Sequence, residues 1–251
     1  MHWVIQQSIF KPGNYSLLVD ALDAMDISYT TVAIRNGTVE MTPDVSVAGK
    51  VYVCGAIRLA QIARNKGWVP GSFLNENFVF QRWRKALGAE LLNDAMTAGR
   101  LADIAAPRDG RFFIRPAEDN KAFDGTVIDA EMLADWRRDP TKQHLQAMDV
   151  IVAPVRQIYR EYRLFVVNHQ VITGSVYKVG GKPHISSEIE DDVLDYARTM
   201  IGRWTPAESL VIDIALTADG FKVIEFNNIN SSGFYASDVA KYVAAIQSHY
   251  A

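Results

Sequence analysis

Apolar positions along this chain switch between two spacings, and each switch marks an element. Residues 2–10 read as a strand, and in YSLLVDALDAM the positions Leu17, Leu18, Ala21, Leu22 and Met25 fall on one helical face. SYTTVAI alternates as a strand does, and KVYVCG is a short continuous apolar run of the kind buried on both faces. AIRLAQIARNKG returns to helical spacing through Ile57, Ala60, Ile62 and Ala63. Strands alternating with helices predict a small α/β lobe that closes near Trp68-Val69-Pro70-Gly71.

The spacing then predicts a long helix over FVFQRWRKALGAELLNDAMTAG, capped by Asn75 or Asn77 and breaking near Gly88. FFIRP ends a buried strand on Arg115-Pro116 and runs into a polar turn carrying Lys121 and Gly125. A helix at AEMLADWRRD stops at Pro140, and MDVIVAPV is a buried strand that turns at Pro154. EYRLFVV and QVITGSVYKV are strands joined at Asn168-His169, where asparagine tolerates the left-handed backbone of a tight hairpin. GGKP breaks that pattern, and Ser187 with Glu190 forms a capping box for a helix whose apolar face is Ile189, Val193, Ala197, Met200 and Ile201.

LVIDIALTADGFKVIEFNN is a further hairpin. Reading Ala218-Asp219-Gly220 as a three-residue loop sets Thr217 opposite Phe221, Ala215 opposite Val223 and Asp213 opposite Glu225. Opposed side chains of an antiparallel pair lie about 5 Å apart at Cβ, and Asn227 follows on the same face about 7 Å along the strand. Like charges facing each other are destabilising, so a cation between them is one reading, and Mg²⁺ favours such oxygen ligands. A four-residue loop is the other reading: it sends Asp213 to the opposite face and leaves two unrelated surface acids.

Composition narrows the choice of chemistry. Nearly half of the 251 residues are apolar, and 26 basic and 29 acidic side chains give a net charge of −3 without a run of one sign. That argues against nucleic acid as a partner. Cys54 is the one cysteine and sits in an apolar run, which fits a buried thiol in a reducing compartment. No segment approaches the roughly 18 apolar residues of a membrane span, and a soluble, cytoplasmic protein without a membrane partner is expected. The five histidines show no metal-ligand spacing.

Four cations stand at strand ends or hairpins. Arg115 alone suggests a snorkelling or salt-bridged side chain, Lys121 a solvated loop residue, Arg163 a charged strand face shared with Glu161, and Lys178 a blunted edge. Taken with the carboxylate pair, they form the set that holds a polyphosphate and its metal, since arginine offers phosphate a bidentate fork and lysine a mobile charge. Neither GxxxxGK[ST] nor GxGxxG occurs in the sequence.

The order FIRP, DNKAFDG, VIVAPV, EYRLFVV, VIDIAL and VIEFNNINSSGFY resembles the ATP-grasp superfamily, over roughly residues 110–236. It is most similar to a branch common in bacteriophages and bacteria that reads Arg-Pro where most members have a lysine. The resemblance implies an α/β (α+β) ATP-grasp fold, two lobes clasping the nucleotide, preceded by a small α/β domain. Its implied divisions are an N-terminal domain over 1–72, a helical connector over 73–109, a small lobe over 110–153 and a large lobe with the metal hairpin over 154–251. By the same resemblance Arg115 takes the place of the first phosphate-binding lysine and Lys121 adds the second cation. Pro154 and Val155 match the segment that meets adenine, Glu161 reaches the ribose, and Arg163 contacts the γ-phosphate. Lys178 joins the ATP-binding set. Asp213, Glu225 and Asn227 match the ligands of Mg²⁺, or of Mn²⁺ in its place, with Asn228 or Asn230 as alternatives to Asn227. Gly125 is a single glycine where many members have several.

The activity this implies is ATP-dependent joining of a carboxylate to an amine through an acyl-phosphate, with a peptide or protein as acceptor. Two rivals have distinct signatures. A phosphotransferase would accumulate phosphorylated product without an amine, and a nucleotide-binding module acting through a partner would bind ATP without turnover.

Overall fold

The computed structural model describes the whole chain except residues 36–37, 39, 107–109 and 118–121. The chain forms two compact units, residues 1–78 with 158–251 and residues 79–157.

The first unit opens on a mainly parallel sheet. Its strands β1 (His2–Gln6), β2 (Tyr29–Ile34), β3 (Met41–Thr42), β4 (Val51–Cys54) and β5 (Pro70–Gly71) take the order β3-β2-β1-β4-β5, with β3 antiparallel to β2. The central strands β1 and β4 are almost wholly buried because helices and chain cover both faces. Helix α1 (Pro12–Ala24) begins with proline in its first turn, where the missing N–H has no intrahelical partner to lose. It buries Leu18, Ala21 and Leu22, whereas Leu17, expected on that face, is 48% exposed. Helix α2 (Ile57–Asn65) likewise buries Leu59, Ala60, Ile62 and Ala63 and leaves Ile57 outside. In α1 one step of about 100° from Leu18 carries Leu17 off the stripe, and in α2 Ile57 lies at the first helical position, before the buried stripe begins at Leu59.

In the second unit the expected helix breaks at Gly88, as its sequence predicts, and does not resume as an α-helix beyond it. Helix α3 (Phe80–Leu87) ends at Gly88, whose φ of 55° halts the spiral, and residues 97–100 form a strand instead. Val79, not Asn75 or Asn77, is the N-cap residue; the two asparagine amides donate to the Pro206 carbonyl at 3.0 and 3.2 Å. The strand, β6 (Thr97–Arg100), joins β7 (Phe112–Pro116), β8 (Thr126–Ile128) and β9 (Asp149–Pro154) in an antiparallel sheet ordered β6-β9-β7-β8. Helix α4 (Ala130–Arg138), capped by the Asp129 carboxylate, closes this unit's core around Phe112, Ile114, Leu133 and Val150. Gly125 fits tightly against Phe113, since a Cβ there would lie 2.6 Å from the ring.

The first unit resumes with an antiparallel sheet. Strands β10 (Ile158–Val167), β11 (Gln170–Val179), β12 (Lys182–Ser186), β13 (Leu210–Thr217) and β14 (Gly220–Asn227) take the order β12-β11-β10-β13-β14. Asn168 and His169, at φ 45° and 62°, make the expected tight turn. Gly180 and Gly181, at φ 56° and 75°, make a second one, so GGKP starts the edge strand β12 and does not end the pattern. Helix α5 (Asp191–Arg203) buries Val193, Ala197, Met200 and Ile201 as expected. Its N-cap is Glu190, without a side-chain cap bond, in place of the expected box; Asp191 and Asp192 in its first turn complement the helix dipole. Helix α6 (Val239–Tyr250), capped by Asp238, packs Tyr242, Val243 and Ile246 into one core with Trp3, Leu18, Tyr52, Phe165, Val211 and Phe234. Residues from both ends of the chain therefore share a single interior.

Candidate functional site

The β13–β14 ribbon sets the geometry. Its loop holds two residues, with Thr217 opposite Gly220, and not the three expected. Leu216 pairs with Phe221 and Ala215 with Lys222, so the expected pairs Thr217–Phe221 and Ala215–Val223 do not form. A bulge at Ile224 then adds the residue that the loop lacks, and Asp213 comes to face Glu225 after all.

Across the sheet the register lines up Ser175, Arg163, Asp213 and Glu225 on four adjacent strands. Asp213 is buried, and Arg163 grips it as a fork, Nε to Oδ1 at 2.9 Å and Nη2 to Oδ2 at 2.7 Å. Asn227 bridges the two acids: its Nδ2 donates to Asp213 Oδ2 at 3.2 Å and to Glu225 Oε1 at 3.1 Å. Burial alone would lower the Arg163 pKa, but the adjoining Asp213 carboxylate raises it overall, so the guanidinium is a permanent cation.

A second layer surrounds the arginine. Tyr177 and Tyr235 stack with ring centroids 5.0 Å apart, and the Arg163 guanidinium lies 5.7 and 5.2 Å from their centres. The Tyr177 hydroxyl donates to Glu161 Oε2 at 2.7 Å. Burial, then the charges of Asp213 and Glu161, push its pKa far up and keep that proton in place. Lys178 reaches the same Glu161 oxygen at 3.5 Å and lies 5.6 Å from the Tyr177 ring centre. Glu161 is thus a buried acceptor for its neighbours in this structure. Tyr235 has φ 52°, a left-handed conformation that costs a non-glycine residue about 1–2 kcal/mol.

The asparagines divide the work. Asn230 uses its whole amide: Oδ1 accepts from Ser72 Oγ and Phe73 N, and Nδ2 donates to the Val53 and Gly71 carbonyls. It ties the ribbon to the first sheet and has nothing left for a ligand. Asn228 Oδ1 accepts from Asn230 N at 3.3 Å and caps the turn over Ile229–Ser231. Asn227 is the asparagine in contact with both acids.

Other expected site residues lie in the second unit. Arg115, half-buried on β7 beside Ile151 of β9, has its guanidinium 5.5 Å from the Phe80 ring centre. Pro154 ends β9 and Val155 is 46% exposed. Lys121 lies outside the described residues. Tyr177, Tyr235 and Ser175 were not foreseen; the alternation in VYK marks only a strand, and tyrosine, unlike glycine or asparagine, does not signal the left-handed backbone that Tyr235 adopts.

Among the described residues no three His, Cys, Asp or Glu side chains cluster as metal ligands. The donor set is two carboxylates and an amide, whose oxygen would face them after a half-turn of the Asn227 side chain. Such oxygen donors suit a hard divalent ion that also keeps water and phosphate ligands. No helix among the described residues is long and apolar enough to cross a membrane.

Solved structures share the fold, and three illustrate it. The D-alanine–D-alanine ligase of Bacillus anthracis complexed with ATP superposes with a TM-score of 0.69 at 10% identity, over 98% of this chain and 95% of that one. The RimK domain ATP-grasp protein of Sphaerobacter thermophilus gives 0.66 at 13%, over 97% and 98%. The ATP-grasp ligase PsnB complexed with a minimal precursor gives 0.60 at 14%, over 98% of each chain. Among curated proteins, none matches in sequence. Residues 93–245, more than half of the chain, match a family described as an ATP-grasp domain, the second family of its clade, and the chain belongs to that ATP-grasp family.

Proposed function

We propose that this protein is an ATP- and Mg²⁺-dependent carboxylate–amine ligase. In this reading a carboxylate oxygen of the acid substrate attacks the γ-phosphorus of ATP, and ADP leaves. The amine nitrogen of the second substrate then attacks the acyl carbon, phosphate departs, and the nitrogen loses a proton. Such transfers need positioning and charge neutralisation more than a protein nucleophile.

The observation that carries the proposal is the convergence of Asp213, Glu225 and Asn227 beside the Arg163 fork on one sheet. Those three side chains would hold Mg²⁺, or Mn²⁺, which when bound neutralises phosphate charge. Arg163 offers its guanidinium to the γ-phosphate and to the acyl-phosphate. Arg115 takes the first phosphate-binding position, where most of the superfamily has lysine, and Lys121 supplies a second cation. Pro154 and Val155 meet adenine, Glu161 lies toward the ribose, and Lys178 adds charge at the edge of the site. A peptide or protein acceptor is supported by PsnB, which is complexed with a precursor peptide and AMPPNP in one of its structures.

The test is product analysis with panels of acids and amines. ADP and phosphate released only when both an acid and an amine are supplied is the expected result. AMP as product excludes the acyl-phosphate route, and a stable phosphorylated product formed without amine converts the assignment to a phosphotransferase.

A further inference from the structure

We propose that Tyr235 is a positioning residue for Arg163, holding its guanidinium on Asp213 so that the donors left over are available to a phosphoryl oxygen. The proposal rests on the ligase reading above. Arginine has five N–H groups. Among the described residues, two from Arg163 go to Asp213 and one to the Gly233 carbonyl at 3.5 Å, which leaves two for a ligand.

The guanidinium and the two rings form a triangle with sides of 5.0, 5.2 and 5.7 Å. The cation therefore lies beside the stacked pair and not between its rings. Tyr177 is fixed in the strand and by its bond to Glu161. Tyr235 comes from a loop, and its place is enforced from both sides. Phe234 before it is buried and stacks on Phe165 at 5.4 Å. After it, Ala236 N donates to Ser175 Oγ at 3.2 Å and Asp238 N to Thr173 Oγ1 at 2.8 Å.

Strained backbone persists only where its surroundings over-determine it, and such residues cluster at functional sites. Core packing does not account for Tyr235, because its side chain is partly open to solvent at 38% exposure. Glycine or asparagine would adopt the same backbone more readily. What tyrosine adds is the ring beside the arginine.

The test measures binding of Mg²⁺–ADP and Mg²⁺–AMPPNP to the full chain by calorimetry. Wild type should bind the triphosphate analogue more tightly, and Tyr235→Gly should shrink that preference by about tenfold, within the range of a partly desolvated cation–π contact. Tyr235→Asn, which also suits the backbone, should match the glycine variant, and Tyr235→Phe should keep the preference. In an Arg163→Lys background Tyr235→Gly should change nothing further, an outcome that a merely structural role would not produce. An undiminished preference in the Gly and Asn variants overturns the proposal, as does an equal loss of affinity for both nucleotides. Wild type that binds both without preference also overturns it, while wild type that binds neither refutes the ligase reading as well.

Discussion

Strand β10 carries two arginines three residues apart, each paired with an acid, and their surroundings differ. Arg160 meets Glu190 at the start of α5 with both side chains nearly half exposed, at 44% and 45%. Arg163 meets Asp213 with side-chain exposures of 13% and 2%. The exposed pair exchanges water for a contact that water nearly matches, so it contributes little. The buried pair has lost its hydration, and each partner now depends on the other. An arginine–carboxylate pair is thus ornamental in one place and obligatory in the other, and burial decides which.

Removing one member of the buried pair should have the largest effect. Asp213→Ala is expected to destabilise the fold by about 3–5 kcal/mol, the cost of leaving a charge unpaired in the interior, measurable by urea unfolding. Next comes Asn230→Ala, which strips the polar ties between ribbon and first sheet and should cost about 2–3 kcal/mol. Asn227→Ala, by contrast, should act mainly on the Mg²⁺ dependence of nucleotide binding.

Burial also sets an alkaline limit. It pushes the Cys54 thiol from 9.0 up to about 12 and raises the phenols of Tyr52 and Tyr242 well above 10.0. Groups with raised folded values contribute fully below their unfolded values, and the contribution is lost as pH rises through the folded ones. Thermal stability should therefore be flat up to about pH 9 and fall steadily toward pH 12.

Two small effects sharpen the contrast. Glu225→Gln removes one of two facing acids and should leave stability within about 1 kcal/mol of wild type while abolishing the Mg²⁺ response in titration calorimetry. Arg160→Ala should change stability by less than about 1 kcal/mol; a loss as large as that of Asp213→Ala would end the comparison.

Much of this arrangement was legible in the residues. The facing of Asp213 and Glu225 depends on the sum of loop and bulge residues between them, so it survived a wrong account of the turn. A bulge leaves no trace in hydrophobic alternation, and a two-residue loop plus one extra strand residue counts like a loop of three. The stretch 80–99 misled because Arg-Trp-Arg-Lys-Ala-Leu keeps helical spacing up to Gly88, while residues 97–100 are drawn into a strand by pairing with β9. Tertiary pairing overrode local propensity there. Gly180-Gly181 carried a hairpin signal that Pro183 obscured, although proline is at home on the edge strand it occupies. Tyr235 was out of reach, because its position depends on anchors from β11 that lie some sixty residues earlier in the chain.

The bulge at Ile224 has a practical corollary for protein engineering. Deleting that residue alone should leave the acidic couple in register, because Ile214 pairs with Val223 and the next residue of the shortened arm would be Glu225, opposite Asp213. Deleting a second residue from either arm should slide the register by one and part the couple, because the ribbon holds a single residue beyond what its two-residue tip requires.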